Sequence, residues 1–267
     1  MSAFSLSEDL EFAFRLADAA GEAILPYFRA GTAVDNKEAA AFDPVTEADR
    51  ASEAAMRRLI AEHRPGDGVL GEEYDTLPSR NGRGWTLDPI DGTRGFIAGT
   101  TAWTVLIAHT RDGIPRAGVI DQPHTGERFF GDGETAGLSH RGGTKLLKVS
   151  KTQRLDEALM ATTDPFLFHR AEADVFAALR PELRLIRYGM DAYAYALLAA
   201  GGVDLVVESG LKPFDVQALI PVVTGAGGIL TDWTGQPAHE GGQVVAAATP
   251  ELHAAALEIL APAARRT

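Results

Sequence analysis

The stretch Trp85-Thr86-Leu87-Asp88-Pro89-Ile90-Asp91-Gly92-Thr93 sets two carboxylates three positions apart at the end of an apolar run. Trp85 to Leu87 reads as the end of a buried strand. Pro89 removes a backbone donor and fixes φ, so the chain is expected to leave the ladder at Asp88. Gly92 permits a tight turn or a close approach by a ligand. Thr93 can begin a short helix whose free N–H groups point outward. Taken alone, Asp-Pro and Asp-Gly pairs are ordinary turn signals. Two further acids extend the pattern. Glu72 sits in Gly71-Glu72-Glu73, after the short apolar pair Val69-Leu70, and Asp215 opens a helix after Lys212-Pro213-Phe214. Glu72, Asp88, Asp91 and Asp215, with the Ile90 carbonyl, would make an all-oxygen cage suited to Mg²⁺, and amides at a helix start suit an oxyanion.

Other chemistries have little support. The seven His are scattered singly, and there is no Cys. Neither Gly-x-Ser-x-Gly nor a Walker A lysine motif occurs, so a covalent enzyme intermediate is not expected. Metal-activated water remains as the nucleophile. The net charge of −12 argues against wrapping nucleic acid. It also repels anions, so a phosphate substrate would need metal ions to reverse the local field. No basic region followed by an apolar run opens the chain and no stretch reaches about 18 apolar residues, so a cytoplasmic enzyme without signal peptide or membrane span is expected.

The elements that must position these residues follow from periodicity. Ser5 with Glu8 resembles a capping box, and Leu10, Phe14, Ala17, Ile24 and Phe28 predict one long amphipathic helix, kinked at Pro26. Residues 31–41 read as a mobile loop or loose hairpin. Thr46 and Asp49 have the spacing of a helix cap and its third-position acid. Strands are expected at residues 103–109, 117–120 and 127–130, with Asp112-Gly113 as a hairpin turn. This is a meander, an antiparallel sheet with helices against one face. Beyond it the pattern alternates. Strands are expected at 158–161, 183–186, 203–207, 228–231 and 244–248. Helices are expected at 169–179, 192–200, 215–225 and 252–259. The division is residues 1–149, an α+β half holding the metal site, and 150–267, an α/β half holding substrate-side residues, in a single compact unit.

Jointly, Gly71-Glu72-Glu73, Trp-x-x-Asp-Pro-Ile-Asp-Gly-Thr from Trp85, residues 43–49, and Asp215 with Gly225-Ala226-Gly227-Gly228 resemble the inositol monophosphatase family. The blocks run in the family's order from about residue 40 to 235. The resemblance implies a layered αβαβα sandwich, α/β in class, and Mg²⁺-dependent phosphomonoester hydrolysis with two or three Mg²⁺ per site. It also implies a homodimer, with no nucleic-acid or membrane partner. Carried over by position, Glu72, Asp88, the Ile90 carbonyl, Asp91 and Asp215 match metal ligands, and Gly92 and Thr93 match phosphate-binding amides. Asp49 and Thr93 match the pair that polarises the attacking water. Lys37 or Glu38 falls in the mobile loop that helps to place a further metal. The family usually has Trp near the last ligand, where this chain has Phe214.

Residues 187–196 and 206–215 speak to the substrate, with Arg187, Asp191 and Glu208 as the substrate-side candidates. Glu208 matches the family position that contacts the leaving alcohol. Asp191 precedes a helix and also has the position of a cap for it. Two acids facing the organic part of a substrate suit a cation. With the Lys-Pro-aromatic-Asp ending, this block looks like the histidinol-phosphate phosphatase branch, whose product carries an amine and an imidazole. The alternatives are an inositol-1-monophosphatase or other sugar phosphatase, and a non-catalytic metal-binding regulatory protein.

Overall fold

The computed structural model describes residues 6–30, 34–36 and 44–265. Helix α1 (Glu8–Ile24) is capped by Ser7, whose Oγ accepts from the Leu10 N–H. The expected cap residue Ser5 lies outside the described residues. The helix stops at Ile24 and does not continue through a kink, because Pro26 has no N–H for the next turn and its ring crowds the preceding one. Strands β1 (Val34–Asn36) and β2 (Pro44–Thr46) pair antiparallel. Helix α2 (Glu47–His63) follows, with the expected Thr46–Asp49 capping box in place.

The first large sheet has seven strands in sequence order: β3 (Gly68–Gly71), β4 (Arg83–Asp91), β5 (Thr104–Arg111), β6 (Ile114–Gln122), β7 (Glu127–Gly131), β8 (Ala136–His140) and β9 (Gly143–Leu146). All pairs are antiparallel except β3 with β4. Helix α3 (Thr93–Ile97) leaves β4 after Gly92. The second sheet is built from β10 (Leu159–Thr162), β11 (Leu185–Tyr188), β12 (Leu205–Leu211), β13 (Ile229–Asp232) and β14 (Gly242–Ala247), in the order β11-β10-β12-β14-β13. Helices α4 (Ala171–Leu179), α5 (Tyr193–Ala199), α6 (Pro213–Val216), α7 (Leu219–Gly225) and α8 (Pro250–Leu260) complete the chain. The single helix expected over 215–225 is two, because Pro221 cannot donate to the carbonyl of Gln217 and the helix restarts at Leu219.

The layers run α1/α2, seven-stranded sheet, α5/α7, five-stranded sheet, α4/α8. The expectation that helices cover one face of the first sheet is corrected. On β5, Val105 and Ile107 pack with α1 and α2, while Leu106 and Ala108 pack with α5 and α7. Alternation with period two therefore yields an unbroken apolar run, since both faces are buried. A third core joins Phe176 of α4 and Leu252 of α8 to Trp233. Each large side chain so buried stabilises the fold by roughly 1.5–3 kcal/mol before entropy is counted. Among the described residues no helix is long and apolar enough to cross a membrane.

Candidate metal centre and cleft

Strand β4 does not end at Asp88. It bulges there: Asp88 lies opposite Leu106 and Asp91 opposite Thr104, three steps against two. Pro89 occupies the bulge, where the ladder is already broken and its missing N–H costs nothing. The Ile90 N–H turns back to Asp88 Oδ1, 3.1 Å away. The chain then turns at Gly92, with φ +83°, where a side chain would strike the Ala102 carbonyl at 2.7 Å. Glycine is required on both counts.

Asp88, Asp91 and Asp215 each present an oxygen within 4.8 Å of the others. Asp91 Oδ1 accepts from the Ala192 N–H at 2.7 Å, and Asp215 Oδ2 from the Lys212 N–H at 2.7 Å. Burial pushes Asp88 well above the ordinary carboxylate range, and Glu72, Asp91, Asp215 and Asp49 push it further. Burial likewise raises Asp91, with Asp191 and Asp215 adding to it, and lifts Asp215 to about 7. Three crowded, hard oxygen donors fit a divalent cation, which would relieve their mutual repulsion. Glu72 stands in the cleft wall, outside this triad, and its charge acts on Asp88 and Asp215.

Asp49 and Thr93 have separate partners. The buried Asp49 carboxylate accepts from the Thr46 N–H at 2.8 Å and from Thr46 Oγ1 at 2.6 Å, and burial lifts it to about 6. Thr93 Oγ1 donates to the Ile90 carbonyl at 3.0 Å. The cap role of Asp49 is thus present, and the pair is not joined directly.

A cleft of about 350 Å³ opens beside the triad, lined by Glu72, Gly92 and Thr93 on one side and by Asp191, Glu208 and Lys212 on the other. Glu208 Oε1 accepts from the Thr163 N–H and Oγ1, at 2.7 and 2.8 Å, and burial raises it to about 7. Burial raises Asp191 to about 6, against the opposing pull of Arg94. Asp191 has φ +45° and caps nothing; helix α5 receives its carboxylate from Asp91 instead, through Ala192. Arg187 is not brought to the cleft. It is exposed on the edge strand β11. Lys37 and Glu38 lie outside the described residues.

The sequence does not single out several groups that shape the site. Thr163 holds Glu208, and Arg94 lines the cleft directly after Thr93. Glu53 is buried and accepts from the Glu73 N–H at 2.8 Å, fixing the turn that carries Glu72. Tyr195, on α5, puts a buried hydroxyl with no hydrogen-bond partner against the cleft, nearest in its electrostatics to Glu208 and Asp91. None of these follows a spacing rule, because each acts across a long chain separation. The cleft lining includes no histidine. His109 is buried, with Asp9 Oδ2 3.3 Å from its Nδ1.

A family model described as the inositol monophosphatase family matches residues 5–265. The bifunctional phosphatase IMPL2, chloroplastic, of Arabidopsis thaliana is 40% identical over 257 residues, covering 92% of this chain and 72% of that protein. The histidinol-phosphatase of Mycobacterium tuberculosis is 35% identical over 243 residues, covering 90% of this chain and 93% of its own. Among solved structures, an inositol monophosphatase from Zymomonas mobilis superposes with a TM-score of 0.84 at 41% identity, covering 95% of this chain and 98% of that one.

Proposed function

The chain belongs to the inositol monophosphatase family and is a phosphatase, and from that premise we propose that it hydrolyses L-histidinol phosphate to L-histidinol and phosphate, with Mg²⁺ as cofactor. The observation that carries the substrate is the pair Asp191 and Glu208 in the cleft wall beyond the triad. Burial raises both acids. A substrate bearing an ammonium and an imidazole relieves that cost, and a neutral polyol does not.

In this reading Asp88, Asp91 and Asp215 hold the cation, with Glu72 and the Ile90 carbonyl contributing. Bound there, a divalent cation supplies Lewis-acid activation of water and charge to match the leaving alkoxide. Asp49 and Thr93 meet through the attacking water. Thr93 Oγ1 donates its own proton to Ile90, so its lone pairs are left to accept one from water. Asp49, raised to about 6, can take the second proton near neutral pH. Water attacks phosphorus in line with the ester oxygen, the P–O bond to the alcohol breaks, and the Gly92 and Thr93 amides receive charge on the equatorial oxygens. Asp191 and Glu208 orient the organic part. A homodimer also belongs to this reading; exposed Leu185 and Tyr188 on the β11 edge support it, and sedimentation velocity tests it.

The test is phosphate release, with Mg²⁺ or EDTA, across histidinol phosphate, inositol 1-phosphate, fructose 1,6-bisphosphate and 3′-phosphoadenosine 5′-phosphate. The highest kcat/KM is expected on histidinol phosphate, lost in EDTA and restored by Mg²⁺. The second reading, inositol 1-phosphate, is favoured by the 41% identity to the Zymomonas mobilis structure. A preference for that substrate overturns the histidinol reading and leaves the phosphatase standing. No turnover on any ester would support a binding role.

A further inference from the structure

Strand β12 bulges directly after Glu208, on the path to Asp215 of the triad. Glu208 lies opposite Val244 and Leu211 opposite Gly242, so one extra residue is inserted on β12. Gly210, at φ +87°, makes the bend. Six residues after the bulged strand's Ser209, Asp215 reaches the triad. The bulge therefore sets the spacing between Glu208 and Asp215.

The bulge is clamped from behind by one carboxylate. Glu172, on the first turn of α4, is 3% exposed. Its Oε1 accepts from Ser209 Oγ at 2.9 Å and from Gln243 Nε2 at 2.6 Å, and Arg265 Nη2 lies 2.9 Å away. Gln243 is the β14 residue facing the bulge, between Gly242 and Val244. Gln243 also receives the Arg265 N–H on its Oε1 at 2.7 Å and donates to the Ala263 carbonyl at 3.0 Å. One buried anion thus ties both strands of the bulge to the C-terminal segment. Thr163, at the start of the segment leading into α4, holds Glu208 itself. Glu208 is gripped at its carboxylate from one side and through its backbone from the other. Glu172, Gln243 and Arg265 do not line the cleft.

We propose that Glu172 is a positioning residue, acting through the β12 bulge on Glu208 and Asp215, with Arg265 as its charge partner. Replacing the carboxylate by an amide leaves the buried Gln243 amide and the exposed Arg265 guanidinium without their anion, and the bulge loses its fixed geometry. Part of the inference rests on Glu208 as a substrate contact, and the test separates the two.

The experiment is a double-variant cycle of Glu172→Gln and Glu208→Gln, with KM and kcat for histidinol phosphate and Mg²⁺ affinity by calorimetry without substrate. Glu172→Gln is expected to raise KM about tenfold, with kcat changed by less than about threefold, and to weaken Mg²⁺ binding. The double variant is expected to have the KM of Glu208→Gln alone. Multiplying effects, or a Glu172→Gln protein that melts lower with unchanged KM and Mg²⁺ affinity, overturn the proposal. Should Glu208→Gln leave KM unchanged on every ester, the substrate reading fails, and the calorimetric Mg²⁺ affinity alone decides for Glu172. Should Glu172→Gln not fold, Arg265→Gln takes its place. Its guanidinium is 70% exposed, so a rise in KM of about threefold is expected, and no rise overturns the proposal.

Discussion

The two walls of the cleft treat negative charge differently. On the first-sheet wall, Asp88 is surrounded by Glu72, Asp91, Asp215 and Asp49, all of which raise its proton affinity. On the opposite wall each acid has an answering group: Glu208 has the Thr163 N–H and hydroxyl, and Asp191 has the field of Arg94. Donors answer acids on both walls, Ala192 at Asp91 and Lys212 at Asp215 no less than Thr163 at Glu208, and burial raises the acids of both. The walls differ in their neighbours: three carboxylates crowd one point on the first, whereas an arginine opposes Asp191 on the second. The lesson is that crowding, more than burial, separates them, and crowding is what a divalent cation relieves.

The sharpest way to break this contrast is Asp91→Asn. The amide oxygen can still accept from Ala192, so the link to α5 survives. We expect kcat/KM to fall by at least ~150-fold, about 3 kcal/mol, with loss of Mg²⁺ affinity by calorimetry. In EDTA the same variant should melt no lower than wild type, because a repelled buried charge has gone. Near wild-type activity at limiting Mg²⁺ would refute Asp91 as a ligand.

On the second wall, Asp191→Asn and Glu208→Gln should lower kcat/KM for histidinol phosphate by roughly 10- to 150-fold, the cost of about 1.5–3 kcal/mol for a charge-assisted contact. Inositol 1-phosphate should lose much less. Asn tolerates the left-handed backbone of residue 191, which keeps that probe free of added strain. Equal losses on both esters would assign the acids to structure or general catalysis.

Thermal melts against pH test the crowded acids together, with Asp191 and Glu208, raised to about 6 and about 7, titrating over the same window. Asp215 is raised to about 7, Asp49 to about 6, and Asp88 and Asp91 well above the usual range. Raised acids bind more protons folded than unfolded, so ∂ΔG/∂pH is negative between the unfolded values, near 4, and the folded ones. In EDTA, stability should fall as pH rises from about 4 to 7. Mg²⁺ binds the deprotonated acids, so its stabilisation should grow over the same window. At roughly 2 °C per kcal/mol, the gap in Tm between Mg²⁺ and EDTA should widen by several degrees. A gap that is constant with pH counts against the crowded-acid account.

The smallest effect is expected from Tyr195→Phe. Its hydroxyl is buried and unpartnered, so removal should cost no stability, in contrast to the ~1 kcal/mol for a bonded hydroxyl. A clear drop in Tm would mean that the hydroxyl has a partner in solution.

What could be read from the sequence was whatever is local. The Thr46–Asp49 cap, the Asp112-Gly113 hairpin and the start of α3 at Thr93 all follow from spacing within a few residues. The alternation of strand and helix patterns marked out the second half, while the full αβαβα layering was an implication of the family resemblance. The errors arose where a local rule met a distant partner. Asp191 has the position of a cap for α5, but the carboxylate that serves there is Asp91, from 101 residues away. Pro89 has the signature of a strand end, but a bulge absorbs it. Glu172 carries no motif at all, since Ser209, Gln243 and Arg265 reach it only through the fold.

The bond from Ala192 to Asp91 has a consequence for how specificity can drift. Helix α5 starts directly after Ala192 and brings Tyr195 to the cleft, beside Asp191 and Ala192. Sliding that helix to fit a bulkier or smaller alcohol would drag Asp91 out of the triad. On this geometry a change of side chain on a fixed helix disturbs the triad less than a movement of the wall does.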